Sequence, residues 1–254
     1  MSRSVCKLLR GLGVGLFWLG AWALLARFVG QELLLPSPAQ VLRRLWALAG
    51  SASFWTATGW SILRVTSGLA AGTLLGVLLA ALTEWSAAAK TLLSPLMQLV
   101  KSTPVASFII LALIWIGRSV LPAFITGLMV LPIVWANVSA GIAGRDPLLL
   151  EMARVYRLPR LRVLRRITVP SVLPHFRAAM SAALGMGWKA GIAAEVLTVP
   201  ARSIGKMIYE SKLYLETTEL FAWTAAVIVL SLVIERLLLR LVRGSGRKGE
   251  GARA

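Results

Sequence analysis

The chain has 254 residues, of which 57% are hydrophobic and only 15% are charged. Soluble domains carry about 25% charged residues, so this composition and a mean hydropathy of +0.77 exclude an ordinary soluble protein and indicate an integral membrane protein. The net charge of +18 could indicate nucleic-acid binding. In a membrane protein it is better explained by arginines in cytoplasmic loops, so we expect lipid rather than nucleic acid around this chain.

Reactive side chains are scarce. Cys6 is the only cysteine and His175 the only histidine, which excludes an internal disulfide framework and a cluster of histidine ligands. The sequence has no recognisable nucleophile–base pair and no phosphate-binding G-x-x-x-x-G-K-[ST] loop. We therefore predict no catalytic residue, no metal site and no cofactor bound by this chain.

Continuous apolar runs of about 20 residues follow one another along the chain, and each is long enough to cross a bilayer as a helix. The basic N-terminus could mark a signal peptide, but a retained first span is favoured because more spans follow. We predict an all-α integral membrane fold of about six transmembrane helices, at residues 11–29, 62–82, 92–115, 121–142, 172–199 and 221–239.

The second predicted span contains Gly68, Gly72 and Gly76, four residues apart. This spacing predicts the close approach of another helix in lipid. Six spans place both termini on one membrane side, and with the N-terminus inside, the inner segments hold roughly three times as many Lys and Arg residues as the outer ones. We therefore predict cytoplasmic N- and C-termini.

One strongly basic segment, residues 146–170, lies in the cytoplasm in this topology. Asp146 is suited to cap a helix and Pro147 to begin it. Leu148, Leu149, Met152, Val155 and Tyr156 then recur at helical spacing. A second short helix is predicted at residues 160–166, so the segment reads as two short helices along the membrane. On these features alone, a docking surface and a loop that only fixes topology are equally good interpretations.

The spacing within this segment resembles the EAA loop of ABC importer permeases. That pattern is Glu-Ala-Ala, three residues, Gly, nine residues, Ile, one residue and Leu-Pro. The matching positions here are Glu151, Ala153, Ile167 and Pro170, and the departures are Met152, Arg157 and Val169. Because Arg157 replaces a glycine, we expect Tyr156 or Arg157 to accept a different C-terminal helix cap.

Other segments are similar to permeases of the nitrate/sulfonate/taurine importer type. They are 35–38, 61–64, 94–96, 188–191, 194–197 and 203–205. The resemblance implies a type I importer fold with three parts: an N-terminal span and extracytoplasmic connector at 1–55, a permease core at 56–243 with the loop at 143–171, and a basic tail at 244–254. We predict that the Gly-rich tail is disordered.

The resemblance also implies the partners and the location. It implies a second permease copy, two cytoplasmic ATPase subunits that bind ATP and Mg, and an extracytoplasmic solute-binding protein, at the bacterial plasma membrane. The residues that it assigns to ATPase coupling are Asp146, Glu151, Met152, Ala153, Tyr156, Arg157, Ile167 and Pro170. The cargo would be a small anionic or zwitterionic solute such as nitrate, a sulfonate or taurine.

Three charged residues fall within predicted spans, namely Lys101, Lys189 and Glu195. Charges at membrane depth are costly and face a cavity or one another. We therefore consider all three as candidates for the translocation pathway, with a structural ion pair as the alternative, which is favoured for Glu195. An ion-gradient-driven secondary transporter is the main alternative function, although no inverted repeat is evident, and a membrane enzyme or structural subunit is the third.

Overall fold

The computed structural model describes residues 3–247, whose regular secondary structure is helical and includes no strand. The helices are α1 (Arg3–Val29), α2 (Pro38–Ala49), α3 (Ala52–Trp85), α4 (Ala87–Ser102), α5 (Val105–Ala112), α6 (Leu121–Ala143), α7 (Pro147–Val155), α8 (Arg160–Val163), a π-helical turn (Leu164–Thr168), α9 (Val169–Thr198), α10 (Ile204–Leu213) and α11 (Thr217–Arg247). Residues 248–254, most of the tail predicted to be disordered, lie outside the described residues.

Three described helices are long and apolar enough to cross a membrane: α3, α6 and the part of α11 up to Leu237. Two others form a bent pair, because α4 and α5 meet at an angle of 103°. The segment predicted as one span at 92–115 is therefore broken into two helices that are bent against each other. Pro104 explains the break, since it disfavours helical backbone at the preceding Thr103, which has ψ of 133°.

The helix α6 forms the centre of the bundle, packed between α3 and α9. One core cluster contains residues from all three helices, among them Leu69, Val134 and Leu184. A second cluster joins α3, α9, α10 and α11 through residues that include Phe54, Trp188 and Trp223. The segment predicted at 172–199 thus lies beside a span for its whole length, although Arg177, Lys189 and Glu195 lower its hydropathy.

The predicted close approach at the glycines of α3 is confirmed. A Cβ atom at Gly72 would lie 2.9 Å from the Cα atom of Gly127 in α6, and one at Gly76 would lie 2.9 Å from the Cβ atom of Val134. Such distances are too short for real side chains. The missing side chains therefore let the two backbones pack closely, which is a main source of helix association in lipid.

Candidate functional site

The side chain of Arg145 joins three helices where they end on the same side of the bundle. Its Nε donates to the carbonyl of Ile142 at 2.7 Å, its Nη1 donates to Oγ1 of Thr168 at 3.4 Å, and its Nη2 pairs with Glu84. These partners lie at the end of α6, just before α9 and at the end of α3. In the sequence, Arg145 is only one of the Lys and Arg residues of the inner segments that indicate the topology. The signal available in the sequence was that Glu84 and Arg145, which carry opposite charges, both follow predicted spans on the same side of the membrane.

The helix α7 begins directly after this joint. The Asp146 side chain accepts a hydrogen bond from the backbone N–H of Leu148 at 2.9 Å, and Pro147 occupies the first helical position. Both features satisfy or remove N–H groups that the first turn leaves unpaired. The predicted start of this helix is confirmed, and only one residue separates it from Arg145.

An apolar surface on α7 faces away from the rest of the chain. It consists of Leu148, Leu149, Met152, Val155 and Tyr156, and the exposed fractions of Val155 and Tyr156 are 79% and 72%. Glu151 is also exposed. Within the described loop, residues 146–170, the buried residues are Ala153 and Ile167, both at positions of the EAA pattern. The described loop thus buries Ala153 and Ile167 against the rest of the chain and leaves the apolar surface of α7 exposed.

Arg157 ends α7 in a left-handed conformation, with φ of 48°. The N–H of Leu158 donates to the carbonyl of Ala153 at 2.9 Å, and the N–H of Arg157 donates to the carbonyl of Arg154 at 3.0 Å. This pair of bonds is the Schellman cap, whose left-handed residue is usually glycine. The expectation of a different cap is therefore wrong, because Arg157 itself adopts the conformation that the pattern assigns to glycine.

The second short helix predicted at 160–166 is not a separate element. The helix α8 continues without interruption through the π-helical turn into α9, and the N–H of Val169 donates to the carbonyl of Leu164 in that turn. Pro170 lacks the N–H that would extend a regular α-helical ladder, and a π-helical turn is one way in which a helix accommodates such a gap. Pro170 is thus near the start of α9, and the second of the two predicted membrane-parallel helices is instead the first part of the continuous helix that runs into α9.

Glu195 lies at the other end of α9 and is fully buried. Its carboxylate accepts hydrogen bonds from Oγ of Ser61 at 2.6 Å and from the N–H of Gly205 at 3.2 Å, and it pairs with Nη1 of Arg64 at 3.3 Å. Arg64 also donates to the carbonyls of Ala201 and Arg202. The network ties α3, α9 and the start of α10 together.

A structural pair of Glu195 with a lysine is the alternative that the sequence suggests, but the observed partner is Arg64 of α3. The segments 61–64, 194–197 and 203–205, which carry the resemblance to the importer permeases, meet in this one network. Segment 61–64 is more than a hundred residues away from the other two, which is why the sequence alone did not bring it together with them.

Lys101 and Lys189 do not join this network. Both are exposed, and among the described residues neither has an ion-pair partner. Lys101 lies in the last turn of α4, beside the sharp bend. Lys189 lies on an outward face of α9 with Met186 and Ala193. The three predicted pathway residues therefore occupy separate places in the chain.

Loss of the Glu195 charge is expected to destabilise the end of the bundle that lies opposite Arg145. The Glu195→Gln variant leaves the Arg64 guanidinium without its counter-charge, and breaking a buried ion pair costs about 3–5 kcal/mol. We expect a clearly lower thermal unfolding midpoint in detergent. The double variant Arg64→Gln/Glu195→Gln should lose less than the sum of the two single variants.

The matched control for this experiment is Glu210→Gln, which removes a half-exposed ion pair with Lys206 on α10. Exposed pairs contribute about 0–1 kcal/mol, so the midpoint should hardly change. A Glu195→Gln variant that unfolds at the wild-type temperature would contradict the structural role.

Replacement of Arg157 by glycine is expected to stabilise the turn after α7. A left-handed conformation costs a non-glycine residue about 1–2 kcal/mol, so Arg157→Gly should slow hydrogen exchange at the amides of residues 157 and 158. The control Arg154→Gly places glycine inside the helix, where it costs about 1 kcal/mol, and should accelerate exchange. Faster exchange in both variants would refute the observed cap.

Known proteins show extended similarity to this chain. The family model described as "Binding-protein-dependent transport system inner membrane component" matches residues 72–246. The taurine transport system permease protein TauC of Escherichia coli (strain K12) is 26% identical over 228 residues, which cover 87% of this chain and 82% of TauC. The putative aliphatic sulfonates transport permease protein SsuC of the same strain is 29% identical over 210 residues, with 82% and 76% covered.

A solved structure shares the fold. It is that of a bacterial ABC transporter involved in the import of the acidic polysaccharide alginate, with a TM-score of 0.61, 16% identity, and coverage of 97% of this chain and 99% of that chain. Together with the matched family model, which spans more than half of the sequence, this similarity leads to one conclusion. The chain is a multi-pass inner-membrane protein that belongs to the binding-protein-dependent transport system inner membrane components, the non-catalytic permease subunits of ABC importers.

Proposed function

We propose that α7 is the helix through which a cytoplasmic ATPase drives this permease. The observation that carries the proposal is the exposed apolar surface of α7, formed by Leu148, Leu149, Met152, Val155 and Tyr156. Water-exposed apolar side chains that lie together on a short helix are typical of a surface that another protein covers. The helix-in-groove mode of recognition uses anchors at the same spacing.

The joint at Arg145 supports transmission from α7 to the membrane. Arg145 is bonded to the ends of α3 and α6 and to the start of α9, and α7 begins two residues later. A displacement of α7 would therefore act on all three helices rather than on a free loop. ATP and Mg would be bound by the partner ATPase, and closure of the two ATPase subunits would rock the helices between inward and outward openings.

We further propose a homodimer that encloses the pathway. Lys189 lies about two thirds of the way along α9 on a face that this protomer leaves open, and a charge at that depth is costly in lipid. A second copy would cover that face and place two Lys189 side chains beside the route of the solute. Lys101 is the second candidate of this kind. Glu195 is assigned to structure, since its carboxylate is fully enclosed within one protomer.

The proposed cargo is a small anionic or zwitterionic organic solute, delivered by an extracytoplasmic solute-binding protein. The relatives named for taurine and aliphatic sulfonates support this class, and the two intramembrane lysines supply the matching charge. The proposed orientation places α7, the N-terminus and the C-terminus in the cytoplasm, in agreement with the distribution of Lys and Arg.

A charged residue within the α7 surface should uncouple the transporter. We expect Val155→Asp, alone or with Glu151→Arg, to abolish co-purification of the co-expressed ATPase and to reduce taurine or alkanesulfonate uptake at least about tenfold, since burying an unpaired charge in an interface costs several kcal/mol. Uptake is measured in cells, and co-purification through a tag on the permease.

The matched control is Leu213→Asp, at an exposed leucine of α10 on the opposite side of the membrane in the proposed orientation. It should retain the ATPase. Normal ATPase retention and uptake in Val155→Asp would contradict the proposed coupling role, whereas normal retention with failed uptake of every tested solute would contradict only the cargo class.

A further inference from the structure

We infer that α8 and the π-helical turn form a binding surface for anionic phospholipid headgroups. Four arginines lie in this stretch, namely Arg160, Arg162, Arg165 and Arg166, and all four are exposed. None of them has an ion-pair partner among the described residues. No acidic residue occurs between Glu151 and Glu195, so this cationic surface is not neutralised by its own segment.

The position of these arginines along the membrane normal follows from the packing of α9 against α6. A Cβ atom at Gly141, near the end of α6, would lie 3.0 Å from the Cα atom of Val172 in α9. Arg145, two residues after the end of α6, donates a hydrogen bond to Thr168. Residues Val172 and Thr168 are therefore level with the end of a membrane span.

The continuous helix then places Arg165 and Arg166 at headgroup depth, with Arg162 and Arg160 just beyond it. Arg166 precedes Thr168 by two residues and Arg160 precedes it by eight. With a rise of about 1.5 Å per residue, they lie roughly 3 Å and roughly 12 Å beyond the end of the span. The headgroup region on each side of a bilayer is about 5–8 Å thick. Phosphate groups of the lipid are thus the nearest available anions.

Two leucines give the same surface an apolar part. Leu161 and Leu164 are 65% and 47% exposed, although Ile167, one turn further along, is buried. Lys- or Arg-rich helices with exposed leucines beside the charges bind at the boundary between headgroups and acyl chains. Such a boundary explains the leucines and the arginines together.

This surface is distinct from the proposed ATPase-binding surface on α7. The left-handed turn at Arg157 and the helix break at Pro159 separate the two helices. Basic segments next to a membrane span attract anionic lipids with about 1 kcal/mol per Lys or Arg. The inference needs only the helix positions, so it stands independently of the ATPase assignment.

The test is native mass spectrometry of the full-length chain in detergent, titrated with phosphatidylglycerol or, in a parallel arm, with phosphatidylcholine. We expect preferential binding of phosphatidylglycerol to the wild-type chain. The triple variant R162Q/R165Q/R166Q should lower this preference by at least about tenfold, because each arginine contributes roughly fivefold. Inorganic phosphate at the same concentration should not displace the lipid, since it lacks acyl chains.

Two further variants show whether a change in lipid preference is due to lost charge at this surface or to another effect of the substitutions. The charge-retaining variant R162K/R165K/R166K should keep the preference, which shows that a loss in the glutamine variant is due to charge and not to misfolding. The variant R118Q/R202Q/K212Q, which removes three exposed charges elsewhere, should also keep it.

Three results would overturn the inference. The first is an unchanged lipid preference in R162Q/R165Q/R166Q. The second is unchanged lipid binding together with loss of the co-purified ATPase, which would assign the arginines to the protein partner. The third is full displacement of phosphatidylglycerol by inorganic phosphate, which would reduce the surface to a simple anion site.

Discussion

The hydrogen bonds of Arg145 are the constraint on which the rest of this structure depends. One guanidinium group joins the ends of α3 and α6 to the start of α9, and α7 begins two residues further on. The rigid attachment matters because α7 has few buried residues of its own. Its position relative to the membrane helices is set mainly by this joint and by the turn at Arg157, so its movement and theirs are linked.

The opposite ends of α3 and α9 are fixed by a second polar network. Glu195 is fully buried and receives hydrogen bonds from Ser61 and Arg64 of α3 and from Gly205 at the start of α10. Between the two networks, the glycines of α3 let it pack closely on α6. A bundle held by polar contacts at both ends and by close backbone contact in the middle favours motion of whole helices over local bending. Alternating access requires such motion.

Much of this organisation can be predicted from the sequence, because its causes are local. Apolar runs locate most of the helices, Asp146-Pro147 locates the start of α7, and the glycine spacing of α3 predicts a close neighbour. Contacts between distant segments cannot be predicted in this way. The partner of Glu195 lies more than a hundred residues away in Arg64, and the bond from Arg145 to Thr168 depends on how two spans are aligned.

Two local features also differed from expectation for physical reasons. The cap of α7 has the geometry usual for glycine although Arg157 occupies it, since the two hydrogen bonds of the cap offset the cost of the left-handed backbone. The second loop helix continues into α9 because a π-helical turn absorbs the irregularity near Pro170. Residue preferences alone do not reveal either compensation.

The most direct test of the account is the accessibility of α7 to a membrane-impermeant maleimide. A cysteine at Val155, in a chain whose Cys6 is replaced by serine, is labelled in inside-out vesicles with and without the co-expressed ATPase. The account predicts rapid labelling without the ATPase and strong protection with it, whereas a cysteine at Leu213 reacts only in right-side-out vesicles. Equal labelling of position 155 in both samples, or labelling of it only from the outer side, would contradict the account.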